Sequence, residues 1–114
     1  MAIIYDEMEM DLCERLRPLI VQYSDWDTNI MLAISKSEAS CNTNAVGDGH
    51  LTFNKGAYGM SCGVLQVRIL PDRNTTCDEL KDPFKGVEWA HKIWLQQGYK
   101  AWSDYKNGKY LKYL

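Results

Sequence analysis

A chain of 114 residues and 13.1 kDa has room for a single domain, residues 1–114, because cores of roughly 100 to 150 residues are the commonest size. Hydrophobic residues make up 46% and charged residues 25%, a composition that excludes a disordered chain. The formal charge of -2 is uneven: residues 1–48 carry three basic and nine acidic side chains, and residues 81–114 carry seven lysines and three acids. The basic segment is either a solvated surface or a contact surface for an anionic polymer.

Several kinds of partner are not indicated. No run of Lys and Arg with interleaved aromatic residues is present, so nucleic acid is not an expected partner. The apolar cluster at residues 2–4 is too short for a secretory signal or a membrane span, so we expect no membrane insertion. The chain is then either a mature or excised domain, or one that leaves its cell by another route. The histidines are His50 and His91, and metal-ligand spacing is missing, so neither a metal nor a cofactor is predicted.

Four cysteines stand apart in the sequence. An even number in a small domain permits two disulfides in three possible pairings, each worth ~2 to 4 kcal/mol. The alternative is four buried thiols, since free cysteine is a common core residue. The spacing leaves both states open for Cys13, Cys41, Cys62 and Cys77.

Two helices are predicted in the first third of the chain. Met8, Leu12 and Leu16 recur every four residues, and Pro18 should kink this helix or restart it as a short turn through residue 23. Capping side chains at residues 24–27 precede a second helix, whose apolar stripe covers residues 30–37 and stops before the polar residues 40–44. Glu38 lies beside that stripe near the helix end, where we expect a partly desolvated carboxyl group.

Glycine-rich residues 45–63 predict a small β-hairpin around Asn54-Lys55-Gly56, followed by a short apolar segment at residues 64–69 and a polar loop at residues 72–76. Asp82 as cap, Pro83 as first residue and Gly98 as the stop define a further helix, with Trp94 on its buried face. An aromatic C-terminal segment follows, with a break at residues 107–108. These elements predict a mostly helical domain with a small sheet.

Three blocks of the sequence resemble the catalytic domain of lytic transglycosylases and goose-type lysozymes, and together they run from residue 33 to the C-terminus. Residues 33–42 are similar to the family's glutamate-containing helix end, with Glu38 followed by Asn42. Residues 61–67, Ser-Cys-Gly-Val-Leu-Gln-Val, are similar to its Ser-x-Gly-Leu-Met-Gln block, preceded by Asn-Ala-Val-Gly-Asp at residues 44–48. The Asp-Pro helix and residues 101–108 resemble its closing element.

The resemblance implies an α+β, mainly helical, lysozyme-like fold with a small hairpin or sheet beside the cleft. It also implies that the β-1,4 bond between N-acetylmuramic acid and N-acetylglucosamine is cleaved with Glu38 as general acid. Burial against Ile34 and aromatic residues would keep that carboxyl protonated near neutral pH, as burial does for the acid of lysozyme. Asp48 is the candidate second carboxylate for a hydrolase, or simply a turn residue between glycines.

Further site residues follow from the same resemblance. Ser61 and Gln66 would bind sugar or the acid, unless they only cap the following turn. Tyr58 and Tyr105 would line the cleft, unless they only pack in the core. Because the first and second blocks should converge on one cleft, the resemblance implies the pairings Cys41–Cys62 and Cys13–Cys77.

The expected partner is the peptidoglycan glycan strand, and the protein is expected to act as a monomer in an extracellular, periplasmic or phage-associated location. Two outcomes of the chemistry remain open, hydrolysis and transglycosylation, in which the muramic acid's own hydroxyl closes an anhydro ring. The alternative function is an inactive glycan-binding or phage-tail structural domain of the same fold. A cytoplasmic regulatory domain is the last hypothesis, and it would require free thiols.

Overall fold

The computed structural model describes residues 11–114. Within them, the α-helices are α1 Leu12–Val21, α2 Thr28–Ala39, α3 Cys77–Leu80, α4 Pro83–Gln97 and α5 Ser103–Lys106, and 3-10 segments cover Gly49–Leu51, Gly98–Ala101 and Lys109–Tyr113. Strands β1 Val46–Gly47, β2 Ser61–Cys62 and β3 Val67–Arg68 form an antiparallel sheet in the order β1-β2-β3. The described chain is therefore α+β and mainly helical, as predicted. None of its helices has both the length and the hydropathy to cross a membrane.

Helix α1 runs unbroken through Pro18, so the predicted restart at this residue was wrong. Proline cannot donate the backbone hydrogen bond that its position in the helix calls for. The helix continues nevertheless, because Leu16 and Ile20, on either side of Pro18, are both buried in the core. Met8, which the sequence placed in the same helix, lies outside the described residues.

Helix α2 runs through the middle of the core and carries Glu38 near its end. It begins at the predicted capping segment, where the Asp27 carboxylate accepts a hydrogen bond from the backbone N–H of Ile30 at 3.0 Å. Five consecutive residues, 31–35, are buried, so this helix is enclosed on all sides by α1, α5 and the C-terminal 3-10 segment. It ends at Ser40, which adopts a left-handed conformation with φ 52°.

Helix α4 has the predicted ends. The Asp82 carboxylate accepts from the backbone N–H of Phe84 at 2.9 Å, Pro83 is the first helical residue, and Gly98 terminates the helix. Its core face is formed by residues 86, 87, 90 and 93. Trp94 is partly buried and packs against this core with its ring 5.9 Å from that of Trp26, which agrees with the predicted packing role.

The predicted hairpin forms around Asn54-Lys55-Gly56, where Phe53 and Tyr58 make a single bridge and exchange backbone hydrogen bonds of 2.9 and 3.3 Å. The three-stranded sheet is built from other residues. Its strands are two residues long each, so it is a small sheet that packs beside α3 and α4 and contributes Cys62 and Val67 to the core.

The disulfides are Cys13–Cys41 and Cys62–Cys77, so the pairing implied by the resemblance was wrong. Neighbouring residues of a strand point to opposite faces. Ser61 points into the cleft described below, and the adjacent Cys62 therefore points away from it, towards the start of α3 at Cys77. The first bridge joins α1 to the turn that follows α2.

A tryptic digest without reductant should separate the two pairings, because Lys or Arg lies between every pair of cysteines in sequence. We expect peptide 1–15 linked to 37–55 and peptide 56–68 linked to 74–81. Mass spectrometry before and after reduction would identify both pairs. Linkage of 37–55 to 56–68 would instead contradict the fold around the sheet.

Candidate active site

A cleft of about 350 Å³ lies between the end of α2, the small sheet and the segment that joins α4 to α5. It brings together four of the six residues that the sequence nominated for catalysis or substrate binding. These are Glu38, Asp48, Ser61 and Gln66. Residues that are 28 positions apart in the chain, in the first and second blocks, therefore face one cavity.

Glu38 is half-buried in the cleft wall and is tied to the start of α5. The backbone N–H of Asp104 donates to its Oε2 at 3.1 Å, and the Ser103 hydroxyl donates weakly to the same oxygen at 3.4 Å. Both donors recorded for Glu38 among residues 11–114 thus bind Oε2. Oε1 is left without a donor from the described protein and remains available for an external group.

Burial raises the pKa of Glu38 above its ordinary value of 4.5, because the charged form loses hydration. The Asp104 N–H opposes this effect by binding the carboxylate, and the Ser103 hydroxyl does so less strongly. The negative charges of Asp104 and Asp48 raise the pKa further. The net result is a carboxyl group that holds its proton to a higher pH than an exposed glutamate does.

The apolar part of the cleft differs from the expected one. Ile34, one helical turn before Glu38, is fully buried in the core and does not line the cavity. Trp102 does line it, and its indole N–H donates to the Leu65 carbonyl at 2.8 Å, which fixes the ring. The remaining apolar lining is Leu51, Val67, Leu70, Ile93 and Ala101.

Two serines of α2 hold the helix end in place. The Ser35 hydroxyl donates to the Val64 carbonyl and the Ser37 hydroxyl donates to the Asp104 carboxylate, both at 2.5 Å. The first contact joins α2 to the loop between β2 and β3, and the second joins it to α5. Glu38, the residue after Ser37, is therefore positioned from both sides of the cleft.

The position of Asp48 is compatible with both roles that the sequence left as alternatives. It sits in a turn with φ 60°, as expected between glycines, and it also lines the cleft. The buried Ser61 hydroxyl donates to Asp48 Oδ2 at 2.6 Å. Ser61 therefore orients the Asp48 carboxylate rather than Glu38.

Gln66 braces the sheet from within the cleft. Its side-chain amide donates to the carbonyls of Ala45 and Gly63, both at 3.0 Å, which uses both amide protons. A Cβ at Gly47 would lie only 2.6 Å from Gln66 Oε1, so a larger residue there would displace the end of the Gln66 side chain. Only Oε1 of Gln66 is left to accept a hydrogen bond from a ligand.

Tyr58 and Tyr105 are not among the residues that line the cleft. The Tyr58 ring lies 5.5 Å from that of Phe53 in the hairpin. Tyr105 stacks on Tyr110 at 4.8 Å and contacts Tyr99 at 5.3 Å, so both predicted cleft tyrosines serve packing in this structure.

Comparison with known proteins assigns no family or function to this cleft. No family model, curated protein or solved structure matches the chain. The chemical interpretation of the cleft therefore depends on its own geometry and on the three motif blocks. Among residues 11–114, no group of three His, Cys, Asp or Glu side chains could hold a metal ion.

Sequence reasoning missed two arginines and two contacts of α5. Arg68 and Arg73 both line the cleft, and the start of α5 supplies the donors to Glu38. Arg68 could have been predicted as a site residue, because it is the one charged residue in the apolar segment 64–69. The contacts of α5 with Glu38 could not have been predicted, because residues 103–104 are distant from Glu38 in the sequence.

Proposed function

We propose that this protein is a peptidoglycan-cleaving enzyme of lysozyme-like fold, in the group of lytic transglycosylases and goose-type lysozymes. Its reaction is cleavage of the β-1,4 bond between N-acetylmuramic acid and N-acetylglucosamine, with Glu38 as general acid. The observation that carries the proposal is a half-buried carboxyl group with a raised pKa in the wall of a cleft that also holds Asp48, Ser61 and Gln66. Its position within the first motif block supports the same assignment.

The two oxygens of Glu38 have different tasks in this mechanism. Oε1 carries the proton to the glycosidic oxygen as the bond to the sugar breaks and positive charge develops on the ring. The negative charge that remains on the carboxylate is stabilised at Oε2 by the Asp104 N–H and the Ser103 hydroxyl. The same carboxylate can then accept a proton from the attacking hydroxyl or water, which restores the acid.

Two second steps are compatible with this acid. In a hydrolase, Asp48 stabilises the oxocarbenium-like state or activates water, and Ser61 holds its carboxylate in the cleft. In a transglycosylase, the muramic acid's own hydroxyl attacks and no second carboxylate is required. The contact between Ser61 and Asp48 favours neither, since it also stabilises the turn.

Mass spectrometry of fragments released from purified peptidoglycan tests the proposal. Anhydro-muropeptides that disappear with Glu38→Gln would establish a transglycosylase. Reducing-end products that disappear with the same variant would establish a muramidase and favour Asp48 as its second carboxylate. Absence of release from several wall types would favour the alternative, a glycan-binding or phage-tail structural domain without activity.

The proposed partner is the peptidoglycan glycan strand, bound by a monomer. Disulfides persist in oxidising surroundings, so the bridges Cys13–Cys41 and Cys62–Cys77 support an extracellular, periplasmic or phage-associated location. The lysine-rich segment 81–114 is compatible with an approach to an anionic wall.

The substitution Asp104→Asn should move the alkaline limb of the pH profile of kcat to lower pH. The negative charge of Asp104 raises the pKa of Glu38, and asparagine removes that charge while keeping the backbone N–H and an acceptor for Ser37. The Glu38 carboxyl titration, followed by NMR with labelled glutamate, should shift in the same direction. A limb that stays in place or moves to higher pH would contradict the assignment of that limb to Glu38.

A further inference from the structure

Two arginines share the cleft with Glu38. Arg68 lies in β3, and Arg73 follows five residues later in the polar loop after the sheet. Both side chains are partly buried. The mechanism proposed above uses neither of them, although a buried cation in a catalytic cleft is costly unless something offsets its charge.

Backbone carbonyls hold these side chains in place. Arg68 Nε donates to the Gly59 carbonyl at 3.0 Å, and one of its terminal nitrogens donates to the Leu51 carbonyl at 3.4 Å. A terminal nitrogen of Arg73 donates to the carbonyl of Arg68 at 2.9 Å. A guanidinium has five N–H donors, so each arginine keeps several for a ligand.

The charges of the pair are not neutralised by a contacting carboxylate. The ion pairs formed within residues 11–114, such as Arg17 with Glu14, do not include Arg68 or Arg73. Burial lowers the pKa of the Arg73 guanidinium, the charge of Asp72 raises it, and the charge of Arg68 lowers it. The positive charges of Arg68 and Arg73 therefore disfavour each other in the cleft wall, and an anion bound by both would offset this repulsion.

We propose that Arg68 and Arg73 form a carboxylate-binding subsite, which directs the cleft to acidic glycan strands in preference to neutral ones. A planar guanidinium fork fits a carboxylate with two parallel hydrogen bonds. Peptidoglycan carries this group in two places, on its stem peptides and on the lactyl side chain of muramic acid when the stem is removed. Chitooligosaccharides have the same β-1,4 linkage and no carboxylate. The inference rests on the proposed glycan-cleaving function.

The test is calorimetric binding of three ligands to the Glu38→Gln protein, which should bind without cleaving. The ligands are stem-bearing glycan strands, strands stripped of their stems by an amidase, and chitooligosaccharides. Arg73→Gln should raise Kd for acidic strands about tenfold, the usual scale for a charge-assisted hydrogen bond, and leave chitooligosaccharide binding unchanged. Arg73→Lys keeps the charge and loses the planar fork. Its Kd for acidic strands should lie between that of the protein with Arg73 and that of Arg73→Gln.

Arg17→Gln is the matched control, since it removes an exposed guanidinium that lies outside the cleft and pairs with Glu14. It should leave all three affinities unchanged. A loss confined to stem-bearing strands assigns the stem carboxylate, a loss confined to stripped strands assigns the lactyl carboxylate, and a loss on both assigns both. Unchanged binding of acidic strands, or an equal loss for chitooligosaccharides, overturns the subsite.

Failure of the subsite and failure of the function are distinguishable. If the unmodified protein releases glycan fragments while Arg73→Gln binds all three ligands like its parent, the subsite is wrong and the enzymatic function stands. If acidic strands bind in an Arg73-dependent manner and no fragments are released, the subsite is retained as part of a binding domain and the enzymatic function is wrong.

Discussion

Replacing Glu38 by Gln is expected to lower the rate of glycan cleavage by about 100- to 10,000-fold, the usual contribution of a general acid, while raising the melting temperature at neutral pH. The two effects have one cause. Burial makes the ionised carboxylate unfavourable in the folded protein, and glutamine keeps the shape without the charge. The proposed catalytic acid is therefore a side chain whose charge the fold would be more stable without.

The pH dependence gives the sign of the stability effect. The pKa of Glu38 is higher in the folded chain than its ordinary value of 4.5, so the folded state binds this proton more tightly than the unfolded state. The free energy of unfolding then falls as the pH rises from 4.5 through the raised pKa. The advantage of Glu38→Gln should grow over this window and vanish below it.

Thermal melts of both proteins over a pH series, run beside cleavage assays, measure the two effects together. Glu88→Gln is a matched control, because Glu88 lies on α4 outside the cleft and makes an exposed contact with Lys85 at 3.8 Å. It should change neither the rate nor the pH dependence of stability. A Glu38→Gln protein that is less stable than the parent at neutral pH would show that the carboxylate is satisfied in the fold, which contradicts its role as a protonated acid.

The substitution Gly63→Ala should lower the free energy of unfolding by roughly 2 to 5 kcal/mol, through backbone strain and steric overlap. Gly63 has φ +85°, and a Cβ there would overlap the backbone carbonyl oxygen of Leu80 at the end of α3. Neither backbone segment can yield freely, because the Cys62–Cys77 disulfide joins them. Gln66 would move as well, since its amide donates to the Gly63 carbonyl.

The substitution Gly56→Ala separates backbone strain from steric overlap. Gly56 has the same φ of +85°, but no atom lies within 4 Å of the position that a Cβ would take in this exposed turn. It should therefore cost only the conformational strain, about 1 to 2 kcal/mol. Chemical denaturation of the two variants gives both values, and equal losses would show that the contact between Gly63 and Leu80 is not rigid.

Features that depend on neighbouring residues were predictable from the sequence. Asp82, Pro83 and Gly98 set the ends of α4, because caps act within one helical turn. The turn at Asn54-Lys55-Gly56 was likewise encoded by three adjacent residues. The placement of Glu38 at a helix end beside a buried stripe followed from the periodicity of residues 30–37 and from the polar residues 40–44 that end the helix.

Features that depend on distant residues were not predictable in this way. The environment of Glu38 was expected from Ile34 and aromatic residues. Ile34 does not line the cleft, whereas the aromatic Trp102 does, and the start of α5 adds contacts that were not expected. The disulfide prediction failed because it treated Cys62 and Ser61 as facing the same cleft, whereas successive strand residues alternate. Strands of two residues have no readable periodicity, so nothing in the local pattern revealed this alternation.

The contacts of Glu38 also determine when its environment forms during folding. Its two donors lie 65 and 66 residues along the chain, and closing such a loop is slow compared with forming a helix. During refolding, α2 can become helical while the Glu38 carboxyl group is still hydrated and has its ordinary pKa. Local helical structure should therefore form before residues 103–104 dock, and the environment that binds the Glu38 carboxylate should be complete only after they do.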